Sequence, residues 1–75
     1  MAAPAAELKV ARQILGWDPL TMAQALRLAG SPEKLEARVL DMEAGKREIS
    51  GPVQVAIEAF LGGWRPNGWI EPASR

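Results

Sequence analysis

The polar side chains of this sequence are suited to hydrogen bonding and ion pairing rather than to covalent chemistry. The chain contains no histidine and no cysteine, so the commonest general base, the commonest zinc ligand and a nucleophilic thiolate are all missing. Its carboxylates are spread along helical faces, and a chain of 75 residues can hardly enclose a substrate cavity of several hundred Å³. We therefore expect no enzymatic activity, no cofactor and no metal centre.

Thr21 and Gln24 have the spacing of a capping box. In that motif the threonine hydroxyl accepts a hydrogen bond from an early backbone N–H group, while the glutamine reaches back to the cap. The free N–H groups and the dipole of a helix N-terminus also favour anions such as phosphate. The pair can act as a structural cap or as a phosphate contact, and the two roles can coexist.

Apolar positions recur at helical spacing in four segments of the chain, which are separated by glycine and proline. No segment shows the alternation of a strand. The sequence predicts an all-α fold, a small bundle of four to five helices. The predicted helices run from Glu7 to a stop at Gly16, from Thr21 to a stop at Gly30, over residues 32–44 with a stop at Gly45, and from Gly51 to a stop at Gly62-Gly63.

The chain is predicted to form one small domain with flanking segments. Residues 1–6 are expected to be a flexible N-terminal arm, residues 7–63 the domain, and residues 64–75 a tail too rich in proline and glycine for regular helix. No apolar run approaches the roughly 18 residues of a membrane span, and the alanine-rich start lacks the features of a secretory signal. We expect a cytoplasmic protein without a membrane partner.

The overall charge does not point to a polyanionic partner. Nine lysines and arginines oppose nine aspartates and glutamates, whereas strong nucleic-acid binders usually have a basic excess. Any argument for DNA binding must therefore come from local pattern.

Three segments, over residues 5–16, 20–30 and 42–53, carry a resemblance to a known family. The most specific is Met42-Glu43-Ala44-Gly45-Lys46-Arg47-Glu48-Ile49-Ser50-Gly51-Pro52-Val53. Together they resemble the Cro-like and phage-repressor-like (XRE-type) helix-turn-helix transcriptional regulators, in their small single-domain subgroup, over roughly residues 5–66. The resemblance implies a repressor-like domain that contains a helix-turn-helix.

The resemblance also implies a function and a set of contact residues. Such a protein would be a nucleoid-associated repressor or autoregulator that binds a palindromic site in double-stranded DNA as a homodimer, with helix 32–44 in the major groove. Arg38 would read a guanine edge, and Ala37 would meet a thymine methyl group. Glu36 or Asp41 would accept from cytosine or orient Arg38. The implied DNA-binding residues are Thr21, Gln24, Lys34, Glu36, Ala37, Arg38, Asp41, Lys46 and Arg47.

Each of these residues has a simpler alternative. The outward side of helix 32–44 also fits an ordinary solvated face, and cations such as Lys46 and Arg47 after a helix C-terminus are favoured by the helix dipole alone.

In the family, the acid equivalent to Glu43 commonly pairs with an arginine of the first helix, which implies a Glu43–Arg12 pair.

The sequence departs from the family in three places. Met22 stands where a phosphate-contacting glutamine is common, and Leu26 replaces a small residue within the second helix. The span from Gly30 to Glu43 is also about three residues longer than usual in the family. Either the turn is extended or the recognition helix gains nearly one turn at its start, so the register of the base-reading positions stays open.

Large apolar residues in the tail have two interpretations. Trp64, Trp69 and Ile70 either fold back over a core too small to close itself or form a dimer contact, because tryptophan is enriched in interface hot spots. Trp17 is expected in the core.

A second function also fits the pattern. The acids Glu33, Glu36 and Asp41 in the third helix favour a helix-turn-helix module that binds another protein, such as a polymerase subunit, a toxin or another regulator.

Overall fold

The computed structural model describes residues 4–72, and within them the chain is all-helical, without strands. Its four helices are α1 (Pro4–Leu15), α2 (Pro19–Ala25), α3 (Pro32–Glu43) and α4 (Gly51–Leu61). The helix α1 packs on α3 and α4, and α2 packs on α3. The predicted all-α class is confirmed. None of the described helices has the length and apolar character needed to cross a membrane.

Proline stands in the first turn of every described helix, because a residue without an N–H group costs nothing there. The helix α1 therefore begins at Pro4, three residues before the predicted start at Glu7. Residues 1–3 of the predicted flexible arm lie outside the described residues.

The start of α2 differs from the predicted capping box. Asp18 is the N-cap residue, and its carboxylate accepts a hydrogen bond of 2.7 Å from the backbone N–H of Thr21. The helix therefore starts at Pro19, two residues before the predicted start at Thr21, since the extended backbone that Pro19 imposes on Asp18 is also the conformation that an N-cap needs. Thr21 and Gln24 lie inside the helix, so their assignment as the capping pair is wrong.

The helices end in the Schellman arrangement, in which two successive amides donate back into the last turn. At the end of α3, Gly45 N–H donates to the Met42 carbonyl at 3.2 Å and Lys46 N–H to the Asp41 carbonyl at 2.8 Å. Gly45 has the positive φ of 78° that this geometry requires. The predicted glycine stops of α1, α3 and α4 are confirmed.

The end of α2 contradicts the predicted stop at Gly30. Arg27 takes the left-handed position with φ 59°, and its N–H donates to the Gln24 carbonyl while that of Leu28 donates to Ala23. The early end places Leu28 against the core and lets the Arg27 guanidinium donate to the Asn67 carbonyl at 2.7 Å. These contacts offset a left-handed strain of about 1–2 kcal/mol. The connection between α2 and α3 thus covers residues 26–31, so the turn is extended and α3 starts at Pro32 as predicted.

The core lies where the four helices meet. Its largest fully buried side chains are Leu8, Met22, Val39 and Phe60, one from each helix. Trp17, in the corner between α1 and α2, is also buried, as predicted. One apolar residue from each helix therefore closes a core that, in a domain this small, has little depth.

The left-handed backbone of Arg27 gives a testable prediction. We expect Arg27→Gly to be more stable than Arg27→Ala by about 1 kcal/mol, because both lose the side-chain bond to Asn67 while glycine alone is relieved of strain. Thermal and urea unfolding would measure the difference. At Glu36, an exposed position in the middle of α3, the same pair of substitutions should show the opposite order, and the same order at both positions would contradict the assignment.

Candidate functional site

The outward face of α3 is the surface that the sequence predicts to meet DNA. Leu35, Val39 and Met42 are buried beneath it, and the opposite side is exposed and centred on Ala37 and Leu40. The predicted contact residues Lys34 and Glu36 are exposed on either flank, while Asp41 is partly buried. The structure thus brings Lys34, Glu36 and Ala37 onto one accessible surface.

The side chains of α3 carry a net negative charge. Its residues include two cations, Lys34 and Arg38, and four carboxylates. One carboxylate, that of Glu43, is neutralised by an arginine of α1. Around the exposed face the remaining acids still outnumber the cations, so α3 offers hydrogen-bond acceptors as well as donors.

Arg38 stands at the edge of the outward face, not at its centre. Its guanidinium leans back over the α2–α3 connection, where Nη1 donates to the Ala29 carbonyl at 3.4 Å. Its Nε atom is enclosed and has no hydrogen-bond partner among the described residues. An enclosed donor without an acceptor costs about 1–3 kcal/mol, so an incoming acceptor would stabilise a reoriented Arg38.

Thr21 and Gln24 lie on α2 and do not belong to the outward face of α3. The phosphate interpretation for this pair depended on a free N–H at the helix N-terminus, and the Asp18 carboxylate already occupies the Thr21 N–H. A carboxylate at this position also repels phosphate. Gln24 is exposed and can contact a ligand through its side chain alone.

Lys46 and Arg47 follow the last turn of α3. Their backbone amides both donate to the Asp41 carbonyl, at 2.8 and 3.3 Å, so the end of the helix fixes where the two side chains start. Both side chains are exposed, and neither forms an ion pair with a described residue. Two cations beside the negative end of a helix are stabilised there by the dipole, and they remain available to an anionic ligand.

The predicted pair of Arg12 and Glu43 is confirmed. The contact is bidentate, with Nε to Oε2 at 2.6 Å and Nη2 to Oε1 at 2.9 Å. The remaining terminal nitrogen, Nη1, donates to the Trp17 carbonyl at 3.1 Å. The hydrogen bond to Glu43 raises the pKa of the Arg12 guanidinium above its ordinary value, against the opposing effect of burial. This contact fixes the end of α3, and hence Lys46 and Arg47, relative to α1.

Two of the three large apolar residues of the tail contact aromatic rings of the core. Trp69 packs on Trp17 with ring centroids 5.3 Å apart. Trp64 stacks on Phe60 at 5.8 Å but remains 54% exposed, and Ile70 is 86% exposed. The interpretation that the tail covers the core therefore holds for Trp69, whereas Ile70 lies outside the core. The dimer interpretation stays a prediction.

Two tail residues that sequence reasoning missed hold this arrangement. The Glu71 carboxylate accepts from Trp17 Nε1 at 3.4 Å, from Trp69 Nε1 at 3.2 Å and from Arg65 Nε. The Arg65 guanidinium lies 5.1 Å from the centre of the Trp17 ring. Hydrogen bonding, from Arg65 above all, lowers the pKa of Glu71. The available signal was a pair of opposite charges flanking Trp69 in a segment that has no helical periodicity.

No protein-family model, curated protein or solved structure matches this chain. Within residues 4–72, no group of three acidic side chains is placed to hold a metal ion.

The Arg12–Glu43 contact predicts coupled losses of stability. In a double-mutant cycle of Arg12→Ala and Glu43→Ala, we expect a coupling free energy of about 1–3 kcal/mol, because each single change leaves a charged partner without its bonds. Thermal and urea unfolding of the four proteins measures it. Lys34→Ala with Glu58→Ala, a pair without a shared ion pair or hydrogen bond, should add. Additive losses for Arg12 and Glu43 as well would contradict the contact.

The Glu71 contacts predict an acid transition of the tail. A carboxylate whose pKa is lowered by folding stabilises the folded tail above its unfolded pKa, and the effect is lost as the pH falls through the lower folded value. Tryptophan fluorescence should therefore report loosening of the tail below the ordinary glutamate value of 4.5. The change should vanish in Glu71→Gln and persist in the control Glu36→Gln. An unchanged transition in Glu71→Gln would contradict this role.

Proposed function

We propose that this protein is a sequence-specific DNA-binding transcriptional regulator in which α2, the connection over residues 26–31 and α3 act as a helix-turn-helix unit. The observation that carries the proposal is the Arg12–Glu43 contact, at 2.6 and 2.9 Å. It anchors α3 to α1 while the outward face of α3 stays exposed, and its end is followed by Lys46 and Arg47, two cations without an ion pair to any described residue. A rigidly held exposed helix with phosphate-binding cations beside it is what groove recognition needs.

In this proposal α3 enters the major groove. The groove is about 12 Å wide and admits one α-helix. Ala37, at the centre of the outward face, meets the floor of the groove, and Lys34 reaches a neighbouring base or phosphate. Arg38 swings from the Ala29 carbonyl to a guanine edge, which also supplies an acceptor for its enclosed Nε. Lys46 and Arg47 bind phosphates and set the register of the helix.

The acidity of α3 shapes the expected binding. Glu36 and Asp41 repel the phosphate backbone unless one of them accepts from a cytosine amino group. Non-specific affinity should therefore be low and its salt dependence shallow. Specificity would then depend on base contacts more than on charge.

A homodimer fits a palindromic site and would place one α3 in each half-site. The exposed Trp64 and Ile70 are the candidate contacts between the two copies. Occlusion of a promoter in the cytoplasm would then make the protein a repressor or an autoregulator.

A second function is favoured by one observation on the same face. Leu40 is exposed on the outward face of α3, the helix that also carries Glu33, Glu36 and Asp41. An apolar residue among carboxylates suits a protein surface with complementary basic residues. In that case α3 would bind a polymerase subunit, a toxin or another regulator, and not DNA.

Gel-shift titration tests the first proposal with DNA from upstream of the protein's own gene. We expect specific binding that Arg38→Ala weakens by about 5- to 150-fold, the loss of one bidentate base contact. Lys46→Ala or Arg47→Ala should weaken binding to all sequences and lower the salt slope by about 1. Lys9→Ala, an exposed cation of α1, is the matched control and should bind as the wild type does.

Two outcomes would contradict the proposal. An affinity for upstream DNA no better than that for scrambled duplex would contradict sequence-specific binding, and it is the result expected if α3 serves protein recognition instead. Specific binding by Arg38→Ala with the wild-type affinity would contradict the role of Arg38 as a base-reading residue.

A further inference from the structure

An apolar groove runs between α1 and α4, on helices that the proposed DNA-binding unit does not use. Ala11 and Ile57 form its floor, and Val10 and Leu61 form its walls. Its volume is about 310 Å³. The two helices thus approach each other at the floor while their outer side chains leave room for a further element.

The walls of the groove are apolar and accessible. Val10 is 52% exposed and Leu61 is 48% exposed. Ile14, one turn after Val10 on α1, is also exposed and continues the apolar side of α1 beyond the groove. A partner that covers these side chains would remove their apolar surface from water, which favours binding.

The charge around the groove has one sign. Glu7 of α1 and Glu58 of α4 contribute to its lining, and both are exposed. No cation contributes to the lining, and neither carboxylate forms an ion pair within residues 4–72. The third polar group, the Gln54 amide, already donates to the Ile49 carbonyl at 3.0 Å. An occupant must therefore offer apolar surface in the middle and positive charge at its sides.

We propose that this groove binds an amphipathic helix of a partner protein, with an aliphatic stripe between Val10 and Leu61 and lysine or arginine residues that pair with Glu7 and Glu58. A third helix can pack in the groove between α1 and α4 as it would in a helical bundle. Partner proteins that bind by the helix-in-groove mode place the apolar side of an amphipathic helix in such a groove. The two carboxylates set the orientation and the charge of the ligand.

The charge argues against a second copy of this chain as the occupant. A two-fold symmetric contact places the same patch on both sides, so Glu7 and Glu58 of both copies would enter one interface without a cation from the lining. Such like charges destabilise the contact. The groove therefore calls for a partner of opposite charge.

Three matched helical peptides added to the full-length protein test the proposal. The first carries leucines at positions i, i+3, i+4 and i+7 with flanking lysines; the second replaces the lysines with glutamates; the third keeps the lysines but scrambles the leucines. We expect backbone-amide NMR shifts to map the first peptide to Val10, Ala11, Ile57 and Leu61. The second and third peptides should bind at least about tenfold more weakly.

Variants of the protein separate charge from apolar contact. Glu7→Gln combined with Glu58→Gln should lower the affinity for the lysine peptide by about tenfold, because two surface ion pairs are lost. Val10→Asp should abolish binding, and circular dichroism checks its fold. The control Glu33→Gln with Glu36→Gln removes two carboxylates of α3 and should leave peptide affinity unchanged, while Glu7→Gln with Glu58→Gln should leave DNA affinity unchanged.

Three results would overturn the proposal. The first is the absence of shifts at the groove with the lysine peptide at millimolar concentration. The second is equal binding of the lysine and glutamate peptides. The third is sedimentation of the protein as a dimer that Val10→Asp dissociates, since the occupant would then be a second copy.

Discussion

The contact between Arg12 and Glu43 is the interaction on which the arrangement of this small domain depends. Three nitrogens of one guanidinium bond to two partners, the Glu43 carboxylate and the Trp17 carbonyl. One side chain thus joins the last turn of α1, the corner before α2 and the last turn of α3. The contact is largely enclosed, with 16% and 6% of the two side chains exposed. Losing either partner would leave an enclosed charge without compensation.

Trp17 connects this ion pair to the rest of the molecule. Its carbonyl accepts from Arg12, while its ring lies 5.4 Å from Phe60 of α4 and 5.3 Å from Trp69 of the tail. The indole N–H reaches Glu71. In a domain without disulfides and with a shallow core, a single aromatic residue at a corner thereby links α1, α4 and the tail. Aromatic packing supplies the apolar contact that the helices alone lack.

The same framework leaves two separate surfaces uncovered. The outward face of α3 carries hydrogen-bond donors and acceptors. Lys46 and Arg47 follow the end of the helix. The groove between α1 and α4 is apolar with a carboxylate from each helix. Because α1 packs on both α3 and α4, the two surfaces are held by one rigid helix without sharing a contact residue.

The local features of the chain were readable from the sequence, because they depend on neighbouring residues. Glycines at 16, 45 and 63 permit the left-handed turn after a helix, and Pro32 and Pro52 suit the first turn of a helix. The apolar spacing places Leu35, Val39 and Met42 on one buried face. The pairing of Arg12 with Glu43 was inferred from family resemblance, since nothing local joins residues so far apart in the chain.

Tertiary contacts decided the rest. Arg27 ends α2 before the available glycine because Leu28 gains burial and the guanidinium reaches Asn67 in the tail, and neither contact is visible from the local sequence. Arg38, expected to point outward, leans onto Ala29 because the connection over residues 26–31 folds beside it. The Glu71 contacts and the α1–α4 groove arise where distant segments meet. Spacing along a helix determines which side of that helix is apolar, but only packing decides whether another element covers that side or leaves it for a partner.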